Sequence, residues 1–195
     1  MRYSLKKSDL LALCKDIASR YDGCEFSAGK FKLKKMKHSD VVLELFLTYS
    51  PGSATIDPCT GVINKKIKTL SKEILGYQTR LTSFIRHIDF DKTLDLHSWR
   101  FHNVEDGHTE QVLLKTIDTA FLILDKYYNY NDEESFLRNL PLNYEEVPGV
   151  YYCLARAILG DYDFIRDYRK DKIETIRPKR YDDIDKIMEY FDIAL

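Results

Sequence analysis

The sequence predicts a single-domain α+β protein with an N-terminal helix, an antiparallel sheet of about four to five strands and a C-terminal helical half containing an αα-hairpin. Strand-like patterns come first and helix-like patterns second, and no linker separates them. Only 8 of the 195 residues are glycine and 5 are proline, so regular elements are expected throughout. We therefore expect one domain over 1–195, with the helix and sheet within about 1–104 and helices over about 105–195.

The first elements are predicted by a change of apolar period. Apolar residues recur at helical spacing over about 8–21, where Ser8 can cap the first free amides. Over 24–50 the period falls to two, which is typical of strands, and 38–40 resemble a hairpin connection. A turn at 51–53 leads into a further strand. Short turns between consecutive strands predict antiparallel pairing.

The middle of the chain gives weaker signals. Apolar spacing predicts a short helix over 63–75, which Gly76 ends. The pattern over 77–92 fits a helix or a strand equally well. Residues 94–102 alternate between polar and apolar side chains and are predicted to form a strand.

The last ninety residues are predicted to be helical. A strong apolar stripe predicts a long helix over about 109–128, and 131–134 offer a capping box for a short one. Pro148 suits the first turn of the next helix. That helix and its successor, joined around 159–162, are expected to form an αα-hairpin, and a last helix begins near Asp182.

Composition indicates a cytoplasmic protein. The N-terminus lacks the apolar core of a secretory signal, and no apolar run approaches the roughly 18 residues of a membrane span. Reduced core thiols are therefore favoured over disulfides for the four cysteines, Cys14, Cys24, Cys59 and Cys153.

The formal charges are distributed unevenly. The net charge is −1, yet residues 1–80 carry 15 Lys and Arg against 8 Asp and Glu, and residues 81–195 carry 15 against 23. This asymmetry fits a molecule that is oriented toward a charged partner. It fits equally well two solvated faces that attract each other within one domain.

No catalytic, cofactor or metal motif is present. The sequence contains no nucleophile elbow and no glycine-rich phosphate loop, so no cofactor is predicted. His97, His102 and His108, with Glu105 and Asp106, are the nearest approach to a metal cluster. On a strand, His97 and His102 point to opposite faces, so no metal site is predicted.

A cluster of lysines marks one predicted strand, at Lys30, Lys32, Lys34, Lys35 and Lys37. One interpretation is a phosphate-binding face for nucleic acid. The favoured interpretation is a solvated edge strand whose lysines prevent pairing with other chains. No arginine on that strand offers a fork for reading base edges, which argues against nucleic acid.

Tyrosines concentrate in the acidic half of the chain. Aromatic side chains are enriched at recognition surfaces, although each single tyrosine is more often part of a helix interface. Rings beside the irregular Pro141–Pro148 connection are expected to face outward. The predicted partner-binding residues are Tyr144, Glu145, Glu146, Tyr151 and Tyr152.

The order of elements resembles a group of small bacterial α+β proteins, some of which are like the immunity proteins of toxin systems. The resemblance rests on the helix at 8–21, the strands at 24–56, Trp99-Arg100-Phe101, the helix at 109–128 and the segment 155–162. With the missing catalytic motifs, the uneven charge and the tyrosine-rich acidic half, we predict a non-enzymatic, immunity-like module that covers a protein partner, and the acidic charge favours a cationic one. Two alternatives stay open: an enzyme with a site near Trp99, Arg100 and His102, and a nucleic-acid-associated protein that uses Lys30 to Lys37.

Overall fold

The computed structural model describes residues 5–34, 36–78, 81–93, 100–105, 107–129, 131–141, 149–174 and 179–195, and confirms the α+β class. The strands are β1 (Cys24–Ser27), β2 (Lys30–Lys34), β3 (Ser39–Glu44), β4 (Thr48–Ser50), β5 (Ser53–Thr55), β6 (Cys59–Asn64), β7 (Ser83–Arg86) and β8 (Arg100–Phe101). The helices are α1 (Lys7–Ser19), α2 (Lys65–Leu70), α3 (His87–Phe90), α4 (His108–Tyr127), α5 (Glu133–Arg138), α6 (Val150–Ile158), α7 (Tyr162–Arg169) and α8 (Tyr181–Tyr190). A π-helical turn, Ser71–Leu75, continues α2.

Within the described residues the strands form two sheets. A five-stranded sheet has the order β1-β2-β3-β6-β7, and a three-stranded sheet has the order β4-β5-β8. The β1–β2 and β2–β3 pairs are antiparallel. Ala28 and Gly29, with φ of 50° and 77°, form the two-residue turn between β1 and β2. Positive φ at both positions matches the turn that best suits a twisted hairpin.

The contacts within the chain divide it into two compact units, whose segments alternate along the sequence. Unit 1 comprises 1–35, 40–61 and 85–126, and unit 2 comprises 36–39, 62–84 and 127–195. The long helix α4 thus belongs almost wholly to unit 1, with the N-terminal helix and β1–β2.

In the core of unit 1, α1 and α4 pack on apolar residues of the strands. The core includes Leu10, Cys14 and Ile17 of α1, Phe26, Phe31 and Leu43 of the strands, and Leu113 and Ile117 of α4. The rings of Phe26 and Phe31 lie 4.8 Å apart on neighbouring strands. Leu43 and Leu45 are buried and Leu47 is half-buried, and β3 itself is buried at all six positions. The cysteines are free thiols, and burial raises the pKa of the Cys14 thiol to about 12.

Unit 2 is mainly helical and contains the predicted αα-hairpin, formed by α6 and α7. Gly160 ends α6 with a φ of 69°. The Asp161 carboxylate accepts a hydrogen bond from the Phe164 amide and an ion pair, 2.8 Å long, from Arg156. The core of this unit includes Ile67, Leu75, Phe136, Leu154, Ile165, Ile184 and Ile187.

Three local predictions are wrong. Ser8 does not cap α1, because the helix begins at Lys7, one residue before it. Its hydroxyl donates a hydrogen bond to the Asp9 carboxylate instead. Residues 39 and 40 belong to β3, so the connection lies between the end of β2 at Lys34 and the start of β3 at Ser39, and not at 38–40. Ile63 lies in β6, where Asn64 ends the strand by capping α2 through the Ile67 amide. Residues 94–99 of the predicted strand 94–102 lie outside the described residues.

The ambiguous segment 77–92 resolves into both elements, with β7 followed by the single turn α3. No helix in the described part of the chain is long and apolar enough to cross a membrane.

Candidate partner-binding surface

Two of the predicted partner-binding tyrosines lie in the interior. Tyr151 and Tyr152 are in the first turn of α6 and are only 1% and 3% exposed. The Tyr152 hydroxyl donates to the Pro141 carbonyl, and burial raises the Tyr152 pKa. Because α6 is buried over most of its circumference, the outward orientation expected for these rings is wrong. Residues 144–146 lie outside the described residues, so their role stays a prediction.

Two lysines of the cluster, Lys30 and Lys32, form ion pairs with buried acids. Lys30 Nζ lies 2.7 Å from Glu44 Oε1, and Lys32 Nζ lies 3.0 Å from Asp40 Oδ2. Both carboxylate side chains, on β3, are 2% exposed or less. Strand β2 lies between β1 and β3, so the interpretation as a solvated edge strand is wrong. These two amines balance buried negative charge, which makes them poor candidates for binding phosphate.

The segment proposed for a cryptic enzyme site is only partly described. Trp99 lies outside the described residues. Arg100 is exposed on β8 opposite Thr55, and His102 is half-buried with its carbonyl accepting from the Leu5 amide. In the described part of the chain, no three His, Cys, Asp or Glu side chains are grouped so as to hold a metal ion.

One buried histidine was not predicted. His87 is fully buried, and its Nε2 lies 2.7 Å from the hydroxyl oxygen of Thr60, which is equally buried. Burial lowers the His87 pKa from 6.5 to about 4, so the ring is neutral at physiological pH. No sequence signal marked it, because it lies in the ambiguous segment 77–92.

Helix α8 carries an exposed acidic and aromatic face in unit 2. Its inner side is anchored by Ile184, Ile187 and Met188, which are buried. The exposed residues of this helix are what we call the α8 face: Tyr181, Asp182, Asp185, Lys186, Glu189 and Tyr190. Tyr181 is 37% exposed and Tyr190 is 49% exposed.

Hydrogen bonds hold both exposed tyrosines in place. The Tyr181 hydroxyl donates to Asp171 over 2.7 Å, and the Tyr190 hydroxyl donates to Glu73 over 2.8 Å. Each of these bonds raises the pKa of the tyrosine that donates it. The Arg169 guanidinium lies 4.8 Å from the centre of the Tyr181 ring. The rings are therefore ordered before any partner arrives.

A buried carboxylate fixes α8 in unit 2. Asp183 accepts from the Tyr77 hydroxyl over 2.8 Å and lies 2.8 Å from the Arg180 guanidinium. Arg180 also stacks on the Tyr77 ring, 4.7 Å from its centre. The spacing of Ile184, Ile187 and Met188 is enough to place Asp182 and Glu189 on the opposite side of the helix, so the acidic part of this surface is predictable from the sequence.

Comparison of the chain with protein-family models, with curated proteins and with solved structures found no match.

Proposed function

We propose that the chain is a non-enzymatic protein-binding module, immunity-like in its action, that uses the α8 face to cover a cationic protein partner. The observation that carries the proposal is the pair of hydrogen-bonded, exposed tyrosines at the two ends of an acidic helix face. The binding surface is thus proposed on the exposed residues of α8 and not on Tyr151 and Tyr152, which are buried.

Ordered tyrosines favour tight binding. A tyrosine that buries its ring at an interface contributes large contact area, and tyrosines are enriched among the residues that dominate binding energy. Ordering a mobile side chain on binding costs about 0.5–1.5 kcal/mol. Because Tyr181 and Tyr190 are already held by Asp171 and Glu73 in the free protein, much of this entropy is lost when the chain folds and not when a partner binds.

The charge of the α8 face favours a basic partner. Three carboxylates, on Asp182, Asp185 and Glu189, outnumber the single amine of Lys186. Arg169 pairs with Asp185 through contacts of 2.6 and 3.1 Å, which leaves Asp182 and Glu189 to attract a partner. An acidic patch of this kind raises the rate of association with a cationic protein and loses its effect as salt increases.

The test is an affinity capture from the native host with four baits: the natural chain, Glu189→Lys, Tyr190→Ala and Asp118→Lys. Asp118 is exposed on α4, so its reversal changes the net charge equally without touching the α8 face. We expect one basic protein to be retained by the natural chain and by Asp118→Lys and to be lost with Glu189→Lys. Titration of the purified pair then measures the affinity of each bait.

Two results would contradict the proposal. Equal loss of the captured protein with both charge reversals would show that only net charge matters. Retention by Glu189→Lys, together with retention by Tyr190→Ala, would show that the partner binds elsewhere.

A further inference from the structure

Unit 2 contains an open groove of about 450 Å³ that none of the residues of the α8 face lines. Its walls are His38, Lys65, Lys66, Thr69, Leu70 and Ile158. The volume lies within the range of small-molecule sites, about 300–1,000 Å³.

Hydrogen bonds fix the polar side of the groove. The Lys65 amide donates to the His38 carbonyl over 2.7 Å, which sets the start of α2 against the chain at residue 38. The His38 amide in turn donates to Glu133 Oε1 over 2.6 Å, and the His38 ring lies 3.7 Å from the other oxygen of that carboxylate. His38 and the first turn of α2 are thus fixed side by side.

Positive charge dominates this side. Lys65 and Lys66 are exposed neighbours on α2, and Lys66 has no ion-pair partner among the described residues. Lys37, which is exposed and precedes His38 in the chain, adds to the basic character beside the groove. Thr69 donates its hydroxyl proton to the Lys65 carbonyl, so its oxygen offers the ligand only lone pairs.

The opposite side is apolar. Leu70 and Ile158 are half-buried and contribute the hydrocarbon wall of the groove. A ligand that satisfies both sides carries a dense negative charge at one end and an apolar or aromatic body at the other.

We propose that this groove binds a phosphorylated small molecule, with the phosphate beside Lys65, Lys66 and His38 and the body against Leu70 and Ile158. Lysine is a common phosphate ligand and acts as a point charge. A nucleoside triphosphate has both parts and serves as the probe. An extended nucleic acid is a different ligand, because it would need a basic track that continues beyond one recess of this size.

The experiment is calorimetric titration at about 0.15 M salt, where distant surface charges are screened. ATP, pyrophosphate and a single-stranded DNA oligonucleotide are titrated into the natural chain, Lys66→Glu, Ile158→Trp and Lys72→Glu. Lys72 lies outside the groove on the continuation of α2 and provides the matched control. Circular dichroism and melting temperature show that each variant is folded.

We expect ATP to bind the natural chain and Lys72→Glu equally, and Lys66→Glu at least tenfold more weakly. Ile158→Trp is expected to weaken ATP and leave pyrophosphate unchanged, because it fills only the apolar side. The proposal is overturned if neither ATP nor pyrophosphate binds at millimolar concentration, or if Lys72→Glu weakens ATP as much as Lys66→Glu does. Tighter binding of DNA than of ATP, with equal sensitivity to both lysines, also overturns it in favour of an extended nucleic-acid surface. None of these variants alters the α8 face, so the groove and the proposed protein interface fail independently.

Discussion

The Tyr168 hydroxyl occupies the position that a β-carbon at Gly149 would take. Gly149 precedes the first turn of α6, and Tyr168, near the end of α7, is 1% exposed. A methyl group at residue 149 would overlap the hydroxyl and lie 2.6 Å from the ring carbon Cζ. Glycine is therefore required here by close packing, since its φ of −55° is one that any residue adopts.

We expect Gly149→Ala to destabilise the protein by about 3 kcal/mol, because overpacking of a filled interior costs about 1–3 kcal/mol and the Tyr168 ring is fully enclosed. Gly160→Ala is the control. Nothing lies within 4 Å of a β-carbon at Gly160, and only its positive φ opposes alanine, at a cost of about 1 kcal/mol. Urea unfolding measures both. In a Tyr168→Ala background the cost of Gly149→Ala should nearly vanish, and an unchanged cost would contradict the packing explanation.

The turn between β1 and β2 is not optimal in sequence. Ala28 adopts a φ of 50° that disfavours a β-carbon, and Asn-Gly is the preferred pair for a two-residue turn with both φ positive. Ala28→Asn should raise the free energy of unfolding by about 0.5–1 kcal/mol. Ala28→Val should lower it, because branched side chains tolerate positive φ poorly. Thermal melts of the two variants beside the natural chain decide the matter, and a lower melting temperature for Ala28→Asn would refute the assignment of the turn.

Burial of His87 predicts a pH dependence of stability. Its pKa falls from 6.5 to about 4 on folding, so between these values the unfolded chain binds more protons than the folded chain. The contribution is fully present above about pH 6.5 and is lost as pH falls toward 4, amounting to about 2 kcal/mol between pH 7 and pH 5. His87→Gln removes the titration while keeping a polar side chain toward Thr60. Parallel stability curves for the two proteins over pH 7 to 5 would show that His87 is not buried as a neutral ring.

The ion pair between Lys30 and Glu44 predicts a structural role for the lysine strand. Lys30→Met leaves the Glu44 carboxylate, which is 1% exposed, without this cation. Removing one partner from a fully buried pair costs about 3–5 kcal/mol. Because the Lys30 side chain is 23% exposed, we expect a smaller loss of stability here, about 2 kcal/mol. The same change at Lys15, which is exposed on α1, should alter the unfolding free energy by less than about 0.5 kcal/mol. Recovery of stability in Lys30→Met with Glu44→Leu would confirm that the uncompensated charge was the cause.

Local periodicity explains why part of this fold was predictable. The apolar stripes of α1 and α4 place their helices to within two residues, and the pair of helices around Gly160 forms the predicted hairpin. These features depend on residues that are close in sequence. The antiparallel pairing of β2 and β3 was predictable for the same reason, because a short connection joins them, whereas the turn at Ala28 and Gly29 was not predicted.

Pairing between distant residues was not predictable. The acids that pair with Lys30 and Lys32 lie on β3, the next strand. The lysines were therefore predicted to be solvated, because the register of β2 against β3 is not visible in the sequence. The segments of the two units alternate along the sequence: unit 2 comprises 36–39, 62–84 and 127–195. No change of composition marks the boundaries between these segments. Tyr151 and Tyr152 were misplaced because apolar residues surround α6 on most sides, a property of the tertiary packing.

The exposed and the buried tyrosines of unit 2 are expected to behave oppositely when replaced. Tyr190→Ala removes a ring that is 49% exposed and one hydrogen bond to Glu73, so the unfolding free energy should change by less than about 1 kcal/mol. Tyr151→Ala removes a ring that is 1% exposed and should cost about 3–5 kcal/mol of stability.

If the α8 face is the binding surface, Tyr190→Ala should still weaken binding of the captured basic partner by about 2 kcal/mol, roughly thirtyfold in affinity, because such tyrosines concentrate binding energy. Chemical unfolding and partner titration on the same preparations separate the two effects. A folded Tyr190→Ala variant with unchanged affinity would remove Tyr190 from the interface, and a variant as unstable as Tyr151→Ala would show that the ring supports the fold.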